Sequence, residues 1–387
     1  MKSDNMVNIE LYGNLSFEIF NSIDSIDKNK WDSGIEKDDF YMKYDFLKIT
    51  EKSVLNVHSY YYIIIFDKGD KVANVVLFSI KLDLLNLVSN SAKGIISKIR
   101  KIWKNSFFIN TLFCGLPVSI VDNSIRIFDK KCTRDILYSI DTIIKNIIKN
   151  KKIKITFLKD FTDDELEWIK CIENKSYKLI SGLPSNDFTI KWNSFDEYVR
   201  SLRGKYRSSL RKVLEKRDKL EISVLENNDI VFDDNFYNLY EQVNGSSEFQ
   251  LEKLSSDFFR KVLSSNSFSA KLITIKRENI LLGHISIVEL RDKFVPLFIG
   301  YEKIVNNKYD IYFNLVYKIL EVAMHEKKKI VKCGQTADFF KRKIGCTPVN
   351  VWWFIYVTSP IIRPFTRKIF SKLFPPIPDY KFEIFEK

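Results

Sequence analysis

The feature that most constrains this chain is an internal echo. Residues 135–170, DILYSIDTIIKNIIKNKKIKITFLKDFTDDELEWIK, and residues 312–343, YFNLVYKILEVAMHEKKKIVKCGQTADFFKRK, follow one pattern. Each reads as an amphipathic helix closing on a lysine cluster, then a short strand, then a turn into a second helix. Setting Ile153 on Ile330 also sets Ile136, Ile140, Ile143 and Ile147 on Phe313, Tyr317, Leu320 and Met324. These positions share one helical face in both copies, so each copy must bury the same stripe.

The segments upstream supply the surface for that burial. SYYYIIIFD and KVANVVLFSIKL, split by KGD, read as a hairpin in the first half. AKLITIKR and ILLGHISIVEL, split by EN and followed by KFVPLFIGYE, do so in the second. Strands, helix, strand, helix, strand, repeated, predict an α/β fold of mixed α+β layers in two tandem units. The boundary is placed near SGLPSND: an N-terminal domain over 1–185, a C-terminal domain over 186–358 and a basic amphipathic tail over 359–387.

Composition narrows the function classes. At 387 residues, with 45% hydrophobic and 29% charged residues, the chain can bury two cores and is not a disordered one. A net charge of +13 favours anionic partners, although a solvated lysine-rich surface gives the same sum. Cys114, Cys132, Cys171, Cys333 and Cys346 form no CxxC pair, and His58, His284 and His325 are the only histidines. Reduced thiols and no metal are therefore expected. No GxSxG occurs, the N-terminus has no signal-peptide pattern, and no run reaches the roughly 18 apolar residues of a membrane span. A cytoplasmic protein is expected, with peripheral attachment to the inner face of a membrane left open. Two basic amphipathic stretches, 92–108 and 359–380, suit either an anionic membrane surface or docking onto the chain itself.

A helix is predicted over 196–218, with Leu202, Tyr206, Leu210 and Leu214 as its apolar stripe. Arg203, Arg207 and Arg211 recur every four residues on the neighbouring face. That line can grip phosphates or carboxylates, or simply face solvent.

YVRSLRGKYRSSLRK, YEQVNGSSEFQLEKLSSDFF, the hairpin core and GQTADFFKRKIG together resemble the FemAB-like branch of the GNAT acyltransferase superfamily, loosely over residues 20–357. The resemblance implies two tandem GNAT-type folds and an N-acyltransferase. The acceptor would be an amine of a cell-envelope, lipid-linked or small-molecule substrate. The reaction class expected is transfer of groups other than aminoacyl, from acyl-CoA or an acyl carrier protein thioester, with aminoacyl-tRNA open as a third donor and DNA not a partner. The family's pyrophosphate loop contains glycine, whereas the corresponding stretch here, KIVNNKYDIY (303–312), has none. That departure argues against a pyrophosphate-bearing donor at this loop.

Amide formation needs a positioned carbonyl, donors for the developing oxyanion and a proton path. Gly300 is a candidate for backbone approach to the carbonyl, and Tyr301 for protonating the leaving group. Glu248 and Glu252 are candidates for the base or for binding a cationic acceptor, or are solvated carboxylates. His284 lies within a predicted strand, where a core role competes with a catalytic one. Tyr309 and Gln335 complete the expected binding set. The resemblance maps Lys341 onto a lysine facing the substrate channel. Thr336 is expected to cap the helix that follows, with Phe339 and Ile344 facing inward. The alternative is a non-catalytic protein that binds RNA or anionic membrane, although no RNP or GXXG signature is present.

Overall fold

The structure is a computed structural model that describes residues 11–83, 108–245, 252–361, 363–365 and 382–386. The chain forms two units. The first comprises Met1–Leu183, Phe249–Lys253 and Asn350–Pro376; the second comprises Pro184–Glu248, Leu254–Val349 and Ile377–Lys387.

The first unit is built on strands β1 (Leu15–Phe20), β2 (Val57–Asp67), β3 (Asp70–Asp83), β4 (Phe108–Cys114), β5 (Ile125–Ile127), β6 (Ile155–Phe161), β7 (Lys178–Ser181) and β15 (Trp352–Val357). Helices α1 (Lys28–Asp32) and α2 (Tyr44–Ser53) precede the β2–β3 hairpin, α3 (Thr133–Lys151) links β5 to β6, and α4 (Asp163–Ile169) follows β6. The sheet runs β1-β2-β3-β4-β6-β15-β7, with β5 beside β3. Helix α3 covers one face through Ile136, Ile140, Ile143 and Ile147, the stripe read from the sequence. Burying each isoleucine stabilises the unit by about 2 kcal/mol. Phe78, Phe113, Phe157 and Trp353 pack ring to ring across neighbouring strands, at centroid distances of 5.0, 5.1 and 5.6 Å.

The second unit holds β8 (Ser185–Thr189), β9 (Glu221–Glu226), β10 (Ser269–Arg277), β11 (Ile280–Glu289), β12 (Lys293–Tyr301), β13 (Ile330–Gln335) and β14 (Thr347–Val349). Its helices are α5 (Phe195–Ser201), α6 (Gly204–Glu215), α7 (Asp234–Asn244), α8 (Ser256–Leu263), α9 (Lys303–Tyr309), α10 (Ile311–His325) and α11 (Asp338–Lys343). The sheet order is β14-β8-β13-β12-β11-β10-β9. In α10, Tyr317, Leu320 and Met324 are buried and Phe313 is half-buried, which matches the α3 stripe.

Read from β1 and from β9, the two sheets agree at every position. Each runs through three antiparallel pairings, then one parallel pairing (β4–β6 and β12–β13), then two antiparallel pairings. The doubling is therefore topological. The chain also crosses over: β8, which follows β7 in sequence, pairs in the second sheet, and β15, which follows β14, pairs in the first. The aromatic strand 352–357 thus lies in the first unit's sheet.

The helix expected over 196–218 is two helices, because Leu202 and Arg203 are extended. The break has a partner. Arg203 N donates to Ile384 O at 2.8 Å and Glu386 N to Ser201 O at 2.8 Å, so the C-terminal segment lies along it. Leu214 is only half-buried. Residues 303–309, read as a loop, form α9. The stretch 92–107 and most of 359–380 lie outside the described residues. Among the described residues no helix is long and apolar enough to cross a membrane, and no group of three metal-binding side chains occurs.

Candidate active site in the second unit

The parallel pairings differ between the units. In the first, β4 and β6 pair from Thr111–Ile155 to Cys114–Leu158, which is the end of β4. In the second, β12 and β13 pair only at Lys293–Ile330 and Phe294–Val331 among the described residues, although β12 continues to Tyr301 and β13 to Gln335. Beyond Phe294 the two strands bound a wedge. The β13-facing edge of β12 is left with backbone donors and acceptors that no strand takes up there, a ready partner for an extended ligand.

Tyr301 stands at the end of β12 and is half-buried; burial raises its hydroxyl above the ordinary tyrosine range, so it keeps its proton. Tyr312 of α10 lies 6.1 Å from it, ring to ring. Burial, with Cys333, Tyr301, Cys346 and Asp338 nearby, keeps the Tyr312 hydroxyl protonated too. Tyr312 packs on Phe340 at 5.5 Å, beside Lys341 in α11.

Lys341 is 6% exposed, and its Nζ donates to Gly334 O at 3.0 Å and Gln335 O at 2.7 Å. The chain there is left-handed at Gly334 (φ 74°), Thr336 (63°) and Ala337 (50°), a strained route from strand to helix that turns carbonyls toward the ammonium. Burial lowers the Lys341 pKa below that of a free lysine, opposed by Cys333, Cys346 and Asp338. The half-buried Gln335 adjoins this grip through its backbone. Cys346 is buried and Cys333 half-buried, and burial, with Cys333 nearby, pushes the Cys346 thiol well above its ordinary range.

Two expectations about this turn are corrected. Ala337, not Thr336, occupies the N-cap, and no side chain caps α11. Phe339 is 49% exposed, and Phe340 takes the inward position beside the buried Ile344.

The sequence candidates therefore separate. Tyr301 ends β12 and Gln335 ends β13, the two strands that bound the wedge, and Lys341 holds the turn that follows β13. Gly300 lies on the same stretch of β12, and its Cα faces α7: a Cβ there would stand 2.4 Å from His284 Nε2 and 2.6 Å from Tyr240 N, so the glycine admits α7 against β12. His284 is fully buried and its Nε2 contacts Phe236 O at 2.8 Å. Burial pushes its pKa down to about 4, and Nδ1 has no partner among the described residues. Tyr309 is buried at the end of α9, its ring 5.2 Å from the Arg277 guanidinium.

Arg203 and Arg207 do hold carboxylates, but the chain's own: Arg203 pairs with Glu383 and Arg207 with Glu386. Arg211 is exposed, and Glu248 lies outside the described residues.

Glu252 belongs to the first unit. Its carboxyl is pushed up to about 7 by burial, with Lys159 opposing and Asp160 adding to the rise. Lys159 and Asp160 form a buried ion pair at 2.5 Å where β6 bulges against β15. Asp160 also accepts from Trp353 Nε1 at 3.0 Å and Ser119 Oγ at 3.2 Å.

The sequence reading missed Tyr312, Asp338 and Asn186. Asn186 lies in SGLPSND, whose Gly, Pro, Ser and Asn composition signals a turn and a boundary. It is in fact on β8, where Nδ2 donates to Asp338 Oδ1 at 2.7 Å and to Gly334 O at 3.4 Å. Asp338 is the one carboxylate inside GQTADFFKRK, which is the signal the sequence offers for it.

No family model matches the sequence, and no curated protein matches it. Among solved structures the chain is similar to FemX, at 11% identity over 90% of this chain and 99% of that one, with a TM-score of 0.55. It is similar to L-PGS from Bacillus licheniformis at 10% identity, covering 90% of this chain and 96% of that one, with a TM-score of 0.52. A tandem GNAT protein from the clavulanic acid biosynthesis pathway matches at 6% identity over 89% and 99%, with a TM-score of 0.50. At such identities the likeness carries the fold: this is a FemAB-like tandem GNAT fold, as the sequence resemblance implied.

Proposed function

We propose that this chain is an acyltransferase that moves an acyl or aminoacyl group from a thioester or aminoacyl-ester donor onto an amine, at the wedge in its second unit. The observation that carries the reading is the stop in β12–β13 pairing within a tandem GNAT sheet. An extended donor arm that adds to the open edge of β12 would bring its carbonyl against backbone N–H groups fixed by the sheet. Such preorganised donors stabilise the oxyanion without reorganisation. The amine nitrogen bonds to the carbonyl carbon, the bond from that carbon to sulfur or oxygen breaks, and the proton that the amine gives up passes to the Tyr301 oxygen as that hydroxyl's own proton goes to the leaving group. Tyr301, at the wedge and protonated, is suited to hand its hydroxyl proton to the departing sulfur or oxygen. Lys341 holds the Gly334–Gln335 turn in the geometry that shapes the opposite wall.

The start of α10 supports a donor without a pyrophosphate at that helix. Asn306 Oδ1 accepts from Tyr312 N at 3.0 Å, and Asp310 stands left-handed at the N-cap with its carboxylate on Lys216 at 2.7 Å. Asn306 Oδ1 therefore already takes one of the helix's free N–H groups, and the Asp310 carboxylate beside it disfavours a second anion. An acyl carrier protein thioester or an aminoacyl-tRNA is favoured over acyl-CoA, and the excess of basic residues suits either polyanionic partner.

The test supplies the full chain with acetyl-CoA, an acylated carrier protein or a charged tRNA, together with a panel of primary amines, and detects the amide by mass spectrometry. Amide should form with at least one donor, and Tyr301→Phe should lower kcat by about 100-fold. Tight, salt-sensitive binding of RNA or anionic vesicles without turnover from any donor would replace this reading with a binding protein.

A further inference from the structure

We propose that Asn186 and Asp338 form the seat for the acceptor's primary ammonium group in the second unit; the proposal rests on the acyl-transfer reading above and supplies its acceptor side. Asn186 is 1% exposed and stands on β8 opposite Gly334 of β13. Its Nδ2 faces two oxygens, Asp338 Oδ1 and Gly334 O. That fixes the carboxamide, because a flip would set Oδ1 against both. Oδ1 needs a donor, and among the described residues none reaches it. Asp338 receives Asn186 on Oδ1 and is itself only half-buried.

Neighbouring groups do not fill the gap. The Lys341 ammonium is turned to Gly334 O and Gln335 O. Ser185 and Asp187 project from the opposite face of β8, where Asp187 pairs with Lys332 at 2.6 Å. The Asn186 amide oxygen is left without a donor among the described residues, and the carboxylate that holds the same amide's nitrogen lies near Tyr312. An anion or an ester carbonyl brings no hydrogen to either. A primary ammonium brings three, and a charge that Asp338 balances. A buried acceptor left without a donor is unfavourable in the folded chain, so a ligand that supplies one gains affinity at this point.

Ligand-observed saturation-transfer NMR on the full chain tests the seat, with n-propylamine and ethanolamine as probes and n-propanol and tetramethylammonium as controls. The primary amines should bind and the controls should not. Asp338→Asn, which keeps the shape and removes the charge, and Asn186→Leu, which removes the acceptor, should each weaken amine binding by about tenfold or more. Thermal melting checks that the variants fold; if Asn186→Leu does not, Asp338→Asn decides the matter alone. Equal amine binding in wild type and Asp338→Asn, equal binding of n-propanol, or no amine binding by the wild type overturns the proposal. The two readings fail separately. Amine binding without amide formation from any donor keeps the seat and removes the acyltransferase. Amide formation with the amine KM unchanged in Asp338→Asn keeps the acyltransferase and removes the seat.

Discussion

Acidification should destabilise the second unit through His284, and the size of the effect follows from its surroundings. The ring is fully buried on β11, with its Nε2 on Phe236 O and the rings of Phe232 and Phe236 edge-on at 5.5 and 5.3 Å. A second proton would place a positive charge and an unpartnered N–H among aromatic carbons. Burial therefore takes the pKa from 6.5 to about 4. Between those values the unfolded chain binds a proton that folded His284 refuses, so stability rises with pH across the window and falls as pH drops through it. A shift of that size corresponds to about 3 kcal/mol, fully lost near pH 4. For a unit of this length it lowers the melting temperature by about 6–12 °C. The assay is scanning calorimetry of wild type and His284→Gln from pH 7.5 to 4. The glutamine amide can still donate to Phe236 O but takes no proton, and the carboxylates that titrate elsewhere cancel in the difference. Wild type should lose more stability than the variant below pH 6.5. Parallel curves would refute the reasoning, since they would mean that His284 protonates freely in the folded state.

Gly300→Ala should destabilise by about 3 kcal/mol in urea unfolding, because the new methyl meets the backbone of α7 as well as His284. Glu252→Gln should act with the opposite pH sign to His284. Its folded pKa is raised, so the native carboxyl loses stability as pH climbs from 4.5 to 7, and the amide should stabilise by about 2 kcal/mol at pH 8 and by much less at pH 5 in thermal melts. The C-terminal segment should depend on its aromatic plug more than on its ion pairs. Phe385→Ala, at a ring packed at a tilt 5.0 Å from Trp192 and pressed against Gly345, should cost about 2 kcal/mol by calorimetry. Replacing both exposed Glu383 and Glu386 with alanine should cost about 1 kcal/mol or less.

Where periodicity and local turn signals operate, the sequence was legible. The α3 and α10 stripes, the β2–β3 and β10–β11 hairpins and the doubling follow from patterns spanning fewer than forty residues. What escaped depends on partners far away in the chain. The β8 and β15 crossover leaves no local trace: β15 reads as an ordinary aromatic strand, and β8, SNDFT, lies in a segment whose composition signals a turn. The break at Leu202–Arg203 exists because Ile384–Glu386 lies against it. At the site, Tyr301, Gln335 and Lys341 were reached through motif resemblance. Asn186 was hidden in a segment whose composition signals a turn, and only its register with Gly334 gives it meaning. The arginine line looked like an anion grip from its spacing alone, and no local rule could show that Glu383 and Glu386 already answer it.

The most direct measurement on the wedge is hydrogen exchange read by mass spectrometry, with and without a non-reactive donor analogue of whichever donor class gives the amide. The account predicts added protection over residues 295–301 of β12 and 332–335 of β13, and none over 111–114 and 155–158, where β4 and β6 are already paired. Protection confined to the first unit or to 204–215, or no protection in β12 at saturating analogue, would contradict it.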